Sequence, residues 1–402
     1  MDCRKTDLAG ALIVSASITD LLSDTELSAI RRPVHEAHGL PGKAYGESFY
    51  RLEQRELFPN TWCAIGCGAE IPNPGDVMEI DLAGRPLLVV RDSRGDIKCF
   101  YNVCRHRGNK LIEGKKCGLQ RLSCNWHGWT YDFDGRLVST PDLGGGGVNN
   151  ASGFDPDVLA LRQVRSGLWL DYILVNLNAN APELSEHLKP LDDFLSRWDL
   201  SGLQHGSSWE TVYPGGWKVS IEGAIEDYHV PWGHSQVVRG LKSRRGAIDT
   251  ADRCFAATTS TWEYKPGRAP TRYQDSNLPS IPDSTNAGTP QSCIINLFPI
   301  GLIGVMSNHV MLGQMMPNAW NQTALRFQYY FVGEAATDMQ LADVRREITD
   351  GWTEIAEQDR GYVRNVHANY QICDEANIQT RFSPHWEGAV LHFQRMVIDA
   401  LS

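Results

Sequence analysis

Two short cysteine–histidine pairs constrain what this chain can fold into more than any other feature of its sequence. One residue separates Cys104 from His106, two residues separate Cys124 from His127, and 17 residues lie between the two pairs. Each pair offers one thiolate and one imidazole from a tight turn, and both groups are common donors to metals. The sequence therefore predicts a metal centre with two sulfur and two nitrogen ligands.

This mixed donor set is typical of a Rieske [2Fe–2S] centre, in which two cysteines hold one iron and two histidines hold the other. Neutral imidazoles in place of anionic thiolates raise the reduction potential to roughly −150 to +300 mV, against about −400 mV for plant-type clusters. A structural zinc site is the alternative, because zinc uses the same four ligands. Its finger spacing, however, pairs Cys with Cys and His with His, whereas the two types are interleaved here.

The residues around the two pairs resemble the cluster loops of the Rieske non-haem iron oxygenases, and the resemblance extends over residues 38–402. It is carried by four segments: Val77–Arg85, Leu87–Asp92, Asn102–Gly108 and Cys124–Tyr131. Most members of that family have Pro-Tyr after the second cysteine, where this chain has Asn125 and Trp126. That difference concerns the packing of the cluster and removes none of its four ligands.

A second candidate metal site lies in the segment between Glu222 and His234. His229 and His234 are five residues apart beside acidic residues, and Pro231 interrupts a helix between them, so both imidazoles can converge on one metal. The segment resembles the family's acidic-x-Tyr-His-x4-His motif. In that family the two histidines join a distant carboxylate in a 2-His-1-carboxylate triad, which leaves iron positions open for O2.

The third iron ligand is expected far downstream, on a helix. The place of Asp359 ahead of Val366 and His367 resembles that of the family's metal-binding aspartate. Glu357 is the nearest competitor, and a solvated carboxylate on the face of a helix is the ordinary alternative. The resemblance implies His229, His234 and Asp359 as the ligands of a mononuclear Fe(II).

Glu226 stands where relatives carry an acidic bridge between the cluster and the iron. The two centres within one chain of that family are too far apart for efficient electron transfer, and its members form head-to-tail trimers. The resemblance therefore implies a homotrimer in which Glu226 links a cluster histidine of one subunit to an iron-ligand histidine of the next. Many relatives use Asp at this position, and Asp227 is the adjacent alternative. Glu222 occupies a position where relatives often have Asn.

Composition limits the partners and the location that we expect. The chain has 402 residues, enough for two domains, and a formal net charge of −10, which argues against a nucleic-acid partner. The mildly apolar stretch Leu8–Ile18 is too short to span a bilayer and lacks the arrangement of a signal peptide. Two of the ten cysteines belong to the cluster loops; the others, Cys63 and Cys67 included, show no disulfide framework. We therefore expect reduced thiols and a cytoplasmic protein without a membrane partner.

The pattern of elements predicts an α+β chain with two domains. An all-β Rieske domain over 47–165 is expected to be inserted in a catalytic domain formed by 1–46 and 166–402. The resemblance implies an antiparallel sheet with helices for the latter, the helix-grip arrangement of ring-hydroxylating oxygenases. Residues 265–292 are rich in Pro, Ser, Thr and Asn, and we interpret them as a lid over the active site rather than a disordered loop. Helices are predicted at 48–58, 183–198, 217–229 and 338–370, and strand-like runs at 256–264, 293–297, 301–316 and 322–333.

The resemblance implies the terminal oxygenase of a multicomponent system that uses O2 and NAD(P)H. No Gly-rich dinucleotide fingerprint occurs, so a separate reductase, with or without a ferredoxin, is expected to deliver the electrons. The segment 381–393 looks like that of oxygenases acting on choline, glycine betaine and carnitine. Some relatives that act on quaternary amines also have Glu at the position of Glu226, where many others have Asp. We therefore expect N-demethylation or C–N cleavage of a small methylated amine. The alternatives are aromatic ring hydroxylation, a Rieske electron carrier without oxygenase activity, and a zinc-binding interaction protein.

Four further residues admit two interpretations each, one functional and one structural. Tyr228 either supports the iron site or is merely packed. His309, in a mostly apolar strand, either faces the substrate or is an ordinary core or surface histidine. Trp217 and Trp232 flank the iron motif and either form a pocket wall with a cation–π contact or belong to the core, which we favour for each.

Overall fold

The computed structural model describes residues 16–270, 277–284 and 291–402. The chain forms two compact units, and the α+β prediction is confirmed. The smaller unit spans Asn60–Ala181, and the larger one combines the residues up to Pro59 with Pro182–Ser402. The smaller unit is thus inserted in the sequence of the larger one.

The smaller unit is built of antiparallel strands. One sheet has the order β1-β10-β9-β4-β3-β2-β5 and a three-stranded sheet has the order β6-β7-β8. The strands are β1 (Cys63–Cys67), β2 (Val77–Leu82), β3 (Arg85–Arg91), β4 (Ile97–Tyr101), β5 (Lys115–Lys116), β6 (Leu122–Ser123), β7 (Thr130–Tyr131), β8 (Leu137–Ser139), β9 (Gln163–Trp169) and β10 (Tyr172–Asn176). Two short 3-10 helices, Gly68–Glu70 and Pro156–Leu159, join them.

The bounds of this unit differ from the predicted 47–165 at both ends. Strand β10 lies beyond 165, yet it pairs with β1 on one side and β9 on the other, so that it joins β1 to the rest of the sheet. At the other end, the helix that begins at Glu47 packs on the 3-10 helix Gly42–Tyr45 of the larger unit. Backbone pairing and helix packing set these boundaries. Neither can be predicted from the hydrophobic pattern alone.

The larger unit is built around a second seven-stranded antiparallel sheet with the order β11-β17-β16-β15-β14-β13-β12. Its strands are β11 (Leu203–Tyr213), β12 (Leu241–Asp252), β13 (Phe255–Tyr264), β14 (Gln291–Leu297), β15 (Gly301–Val305), β16 (Val310–Ala319) and β17 (Gln322–Val332). The predicted run 301–316 is two strands joined by a turn. Strands β11 and β12 were not predicted, because polar residues interrupt their apolar pattern.

The described helices of the chain are mostly short, with one long exception. They are α1 (Ile18–Leu21), α2 (Asp24–Ile30), α3 (Glu47–Leu52), α4 (Phe58–Asn60), α5 (Leu184–Leu195), α6 (Trp217–Ala224), α7 (Val230–Gly233), α8 (Ser235–Val238), α9 (Ala342–Glu375) and α10 (Gly388–Ala400). A π-helical turn, Glu53–Leu57, joins α3 to α4. Within the described ranges, no helix has the length and apolar character needed to cross a membrane.

The long helix α9 packs against β11 and α6, and these contacts position the site described below. The Tyr213 hydroxyl donates to the carbonyl of Ala356 at 2.6 Å, and the Gly216 amide donates to His367 Nδ1 at 3.2 Å. The two hydrogen bonds hold the stretch of α9 between them against the start of α6. Asp359 lies in this stretch.

A buried ion pair fixes the first turn of α6. Glu53, in the π-helical turn, is fully buried and accepts hydrogen bonds from Lys218 Nζ and from Trp217 Nε1, the latter at 2.9 Å. Breaking one partner of such a pair leaves an uncompensated buried charge, which costs about 3–5 kcal/mol. Trp217 is therefore a core residue, as the sequence favoured, and it does not belong to the wall of the cavity described below.

The predicted lid over 265–292 is only partly described. Residues 271–276 and 285–290 lie outside the described residues. Within the described piece 277–284, Arg197 pairs with Asp283 at 2.6 Å and the Ile281 amide donates to the Ser307 carbonyl at 2.8 Å. The lid interpretation stays a prediction.

Candidate metal centres

The two cysteine–histidine loops of the smaller unit have the same backbone architecture. The Gly108 amide donates to the Cys104 carbonyl, and the Gly128 amide donates to the Cys124 carbonyl, each at 3.0 Å. Both glycines have positive φ, +77° and +70°, a conformation that side chains disfavour. The sequence therefore forms two equivalent tight turns because a glycine closes each of them four residues after the cysteine.

The cysteines of these turns are buried and the histidines are exposed. Cys104 and Cys124 belong to the core of the unit, at 2% and 3% exposure. The rings of His106 and His127 are exposed and meet edge to face, with centroids 4.5 Å apart. Burial raises the pKa of Cys104. At Cys124 burial also opposes ionisation, yet hydrogen bonds from backbone N–H groups and from the Asn109 side chain lower the pKa of the thiol.

The spread of these four donors distinguishes a two-iron cluster from a single zinc ion. One zinc with bonds of about 2.0–2.3 Å holds its ligand atoms within roughly 4 Å of one another. Within the described residues, the only group of three donors within 4.8 Å of one another lies elsewhere, at His229, His234 and Asp359. The cysteine–histidine donors are thus too far apart for one zinc ion, and their chemistry and spacing fit a [2Fe–2S] cluster.

The second site is a triangle of three donor atoms in the larger unit. His229 Nε2 and His234 Nε2 are 3.1 Å apart, and Asp359 Oδ1 lies 3.1 Å from His234 Nε2 and 3.7 Å from His229 Nε2. Adjacent ligands of an octahedral metal with bonds of about 2.1 Å are separated by about 3 Å. These distances are those of a facial triad.

The hydrogen bonds of both imidazoles explain why Nε2 faces the centre of this triangle. His229 Nδ1 donates to the carboxylate of Glu226, and His234 Nδ1 donates to Gln358 Oε1 at 2.7 Å. Carboxylate and amide oxygens only accept, so each Nδ1 carries the proton and each Nε2 presents a lone pair. Two lone pairs and a carboxylate oxygen therefore converge, an arrangement that a cation stabilises. The residues fit a mononuclear iron.

The local fold of the histidine segment follows from its capping and its proline. The predicted helix 217–229 ends earlier, at Ala224, and Glu226 then accepts hydrogen bonds from the Tyr228 and His229 amides. Pro231 lies in the first turn of α7, where a missing N–H costs nothing. This break turns the chain so that His234, at the end of α7, comes back beside His229.

The competing carboxylates lie apart from the triad. Asp227 accepts a hydrogen bond from Ser260 Oγ on β13, and burial raises the pKa of its carboxyl. Glu357 is exposed and pairs with Arg360 at 2.9 Å. The structure thus brings Asp359, rather than Glu357, to the histidines, and Glu226, rather than Asp227, to the His229 ring.

Glu222 is part of a buried hydrogen-bond network away from the triad. It accepts from the Tyr45 hydroxyl at 2.8 Å and from Gln394 Nε2 at 2.9 Å. Burial raises the pKa of Glu222 to about 7. Tyr45 also stacks on Tyr370 of α9, with ring centroids 4.0 Å apart. The sequence singled out Glu222 from its place in the motif, but its two hydrogen-bond partners come from distant segments of the chain.

The other residues that the sequence singled out fall into two groups. His309 is fully buried, with its Nε2 accepting from Trp352 Nε1 at 2.9 Å, and it is a core histidine. Tyr228 and Trp232 both line the cavity beside the triad. Trp232 is 86% exposed, which corrects the expectation that it packs in the core.

A cavity of about 620 Å³ opens onto the three donor atoms. Much of its wall is apolar or aromatic and includes Trp209, Trp262, Met306, Met311, Met315 and Phe327. Its acidic members are Glu226, Asp227, Asp359 and Glu387, and no Lys or Arg belongs to the wall in the part of the chain that the structure describes. Sequence reasoning missed the methionines and Gln358. Alternation along β16 places Met311 and Met315 on one face, but it does not show what that face covers.

The two sites define the class of protein. An all-β unit with Cys2His2 turns and a helix-and-sheet unit with a 2-His-1-carboxylate triad make up a chain with two different iron centres. The family models bear this out, since residues 61–152 match the Rieske [2Fe-2S] domain and residues 200–402 match the ring hydroxylating alpha subunit (catalytic domain). The chain belongs to the ring-hydroxylating alpha subunit family, whose cofactors are a Rieske cluster and a mononuclear iron.

Individual relatives differ in what their names say they act on. The chain is 31% identical over 205 residues to the glycine betaine monooxygenase oxygenase subunit of Chromohalobacter salexigens. The match covers 51% of this chain and 45% of that protein. It is 29% identical over 211 residues to the biphenyl dioxygenase subunit alpha of Metapseudomonas furukawaii, covering 50% and 46%. The chain thus spans about half the length of these curated relatives.

The fold is shared with a solved quaternary ammonium Rieske monooxygenase. The TM-score is 0.75 at 18% identity, and the likeness covers 93% of this chain and 98% of that one. Identity at this level shows the fold alone. It confirms the predicted arrangement of an antiparallel sheet with helices.

Proposed function

We propose that this protein is the terminal oxygenase of a multicomponent Rieske system and oxygenates a small methylated or quaternary amine. One observation carries the proposal: the cavity that opens onto the triad has acidic and aromatic residues in its wall and no Lys or Arg among the described residues. Such a wall attracts a cation and repels an anion. The expected outcome is hydroxylation next to nitrogen, which leads to N-demethylation or C–N cleavage.

Two sets of residues would hold the cofactors. Cys104, His106, Cys124 and His127 would hold the cluster, and His229, His234 and Asp359 would hold the iron. When bound, the cluster would supply electrons and the iron would supply O2 activation. His229 Nδ1–H donates to Glu226 and His234 Nδ1–H donates to Gln358. Both Nε2 atoms therefore stay available to a metal.

The substrate-facing residues supply orientation. Trp209 and Trp352 line the cavity, and an ammonium group placed over an aromatic face gains about 0.5–2 kcal/mol depending on its desolvation. Glu387 lies in the same wall, in the segment whose sequence resembles oxygenases of choline, betaine and carnitine. The named activity of the betaine and quaternary ammonium relatives supports the same class of substrate.

Electron delivery would require partners. We propose a separate NAD(P)H-dependent reductase, with or without a ferredoxin, and a head-to-tail homotrimer in which Glu226 links a cluster histidine of the neighbouring subunit to the proposed iron ligand His229. The exposed rings of His106 and His127 and the contact between Glu226 and His229 Nδ1 support this path. Size-exclusion chromatography with light scattering tests the trimer, and a monomer at assay concentration would contradict it.

Aromatic ring hydroxylation is the second candidate. Met311, Met315 and Phe327 give the cavity an apolar, adaptable face that fits an arene, and the biphenyl dioxygenase subunit is among the relatives. A Rieske electron carrier is the third candidate, and the converging His229, His234 and Asp359 argue against it, because a carrier needs no second iron.

The deciding experiment is anaerobic reconstitution with a generic NADH reductase, followed by substrate-dependent O2 uptake and product analysis. One panel holds methylated amines and the other holds small neutral aromatics. Formaldehyde or a released amine supports the proposal, whereas a cis-diol or phenol with no amine turnover supports ring hydroxylation. Iron analysis separates the carrier, which would hold about two irons per chain instead of about three.

A further inference from the structure

The two imidazoles of the triad are held by chemically different partners. His229 donates from Nδ1 to a carboxylate, Glu226, whereas His234 donates from Nδ1 to the neutral amide of Gln358 at 2.7 Å. The His234 side chain is only 1% exposed, so solvent has little access to replace that partner. The state of the His234 ring therefore depends on which end of the Gln358 amide faces it.

That orientation decides whether His234 can bind a metal through Nε2. With Oε1 towards the ring, Nδ1 must carry the proton and Nε2 keeps its lone pair. With the amide turned over, its NH2 group would face Nδ1, which would then have to accept, and the proton would move to Nε2. A protonated Nε2 is not a ligand. The two ends of an amide have nearly the same shape, so packing alone does not choose between them.

A second amide restrains this orientation. Gln236 Nε2 donates to Gln358 Oε1 at 3.0 Å, and Gln358 Nε2 donates back to Gln236 Oε1 at 3.4 Å. Gln358 Oε1 thus accepts two hydrogen bonds, one from His234 and one from Gln236, which uses both of its lone pairs. Turning over the Gln358 amide alone would place two donors against each other at Gln236, so one amide cannot turn over without the other.

The positions of the two glutamines in the chain link two of the proposed ligands. Gln236 lies two residues after His234, in α8, and Gln358 lies one residue before Asp359, in α9. The reciprocal amide pair therefore ties the segment of one proposed ligand to the helix of another. It holds their separation, 3.1 Å between His234 Nε2 and Asp359 Oδ1, as well as the ring's tautomer.

We propose that Gln236 and Gln358 form an amide clamp that holds His234 as an Nε2 ligand and sets its distance from Asp359. Gln358 is a positioning residue that acts through His234, and Gln236 acts through Gln358. The inference rests on the proposed iron site but is independent of the substrate. Because the partner of His234 is neutral while that of His229 is charged, the two histidines are unequal donors.

Metal binding by the full-length chain tests the clamp without any turnover. The protein is purified with its cluster intact, its mononuclear site is emptied, and Co(II) is titrated while its visible absorption bands are followed. Gln358→Leu removes the acceptor and is expected to weaken Co(II) binding about 10–100-fold. Gln358→Glu keeps an oxygen towards His234 but loses the donor to Gln236, and it is expected to restore much of the affinity that Gln358→Leu loses. Gln236→Leu is expected to weaken binding less than Gln358→Leu does.

Two controls separate the clamp from the site itself. Gln340→Leu makes the same substitution at an exposed position of the same unit and should leave affinity and spectrum unchanged. Asp359→Ala should abolish binding; if it does not, the proposed metal site is wrong. If Asp359→Ala abolishes binding while Gln358→Leu binds Co(II) as the wild type does, the site stands and the clamp is wrong. Failure of Gln358→Glu to restore the affinity lost in Gln358→Leu would also overturn it.

Discussion

The two metal centres of this chain are assembled in opposite ways. The four donors of the cluster come from one stretch of sequence, 104–127, as two turns with the same backbone pattern. The three donors of the iron site come from a broken helix and from α9, and six strands of the larger sheet lie between these two elements along the chain. A centre made of local turns can be recognised from spacing, whereas one made of distant elements depends on how those elements pack.

The contacts that support the two centres are also local in one case and distant in the other. Backbone N–H groups and closing glycines shape the cluster turns, so the departures at Asn125 and Trp126 leave the turns intact. Side chains support the iron site, with Glu226 on one histidine and Gln358 on the other. We therefore expect the iron site to be sensitive to neighbouring side chains, and the cluster to be sensitive chiefly to its own ligands.

The largest effect is expected from Cys124→Ser. It removes a thiolate from the buried side of the cluster, so the cluster should be lost together with all measurable turnover. Iron content should fall from about three to about one per chain, because the iron site lies in the other unit. Cys117→Ser, an exposed cysteine of the same unit, is the matched control and should keep the cluster's visible spectrum.

Asp359→Ala is expected to abolish turnover as well but to spare the cluster. Iron content should fall only to about two per chain, with the Rieske EPR signal of the reduced protein unchanged. Glu357→Ala, on the same helix but paired with Arg360, should keep about three irons. The reverse pattern would make Glu357 the third ligand.

Glu226→Gln is expected to keep both iron centres and to slow the transfer between them. The amide still offers an oxygen to His229 Nδ1 but removes the charge, and such changes around a ligand typically cost 10–100-fold. Single-turnover oxidation of the reduced cluster, in the presence of substrate and O2, measures the step. If Asp227→Asn slows it while Glu226→Gln does not, the bridge is Asp227.

The smallest effect is expected from Glu222→Gln, and it concerns stability. Burial raises the pKa of Glu222 to about 7 in the folded state, above the ordinary value of 4.5 for the unfolded chain. The folded state therefore binds more protons, and its stability falls as pH rises from about 4.5 to about 7, by up to about 3 kcal/mol.

Urea unfolding of the larger unit at pH 5 and pH 7.5 checks this pH dependence. Gln at position 222 carries no charge at either pH and still accepts from Tyr45, so the variant should lose most of the difference between the two midpoints. A variant as pH-dependent as the wild type would mean that Glu222 titrates near its ordinary pKa.

Part of the fold and most of the candidate site were predictable. The spacing of cysteine and histidine, the break at Pro231 and the resemblance of the motifs pointed to the seven proposed ligands. The α+β class followed from periodicity, as did four strand-like runs that cover five strands of the larger sheet. The extent of the cluster unit was not predictable, because β10 joins it by pairing with β1 and β9, and strand pairing over such a distance leaves no local pattern.

The sequence by itself determined the donor chemistry of this protein. Cysteine and histidine in tight turns select an iron–sulfur centre, and two histidines around a proline select a second metal. The resemblance favoured Asp359 over Glu357, but only the tertiary structure gives the physical reason. The two carboxylates lie two residues apart on α9, and the packing of α9 on β11 and α6 turns Glu357 outward and Asp359 towards the histidines. The tertiary structure also decided the pairing of Gln236 with Gln358, since a hydrogen bond between distant side chains depends on packing and has no signature along the chain.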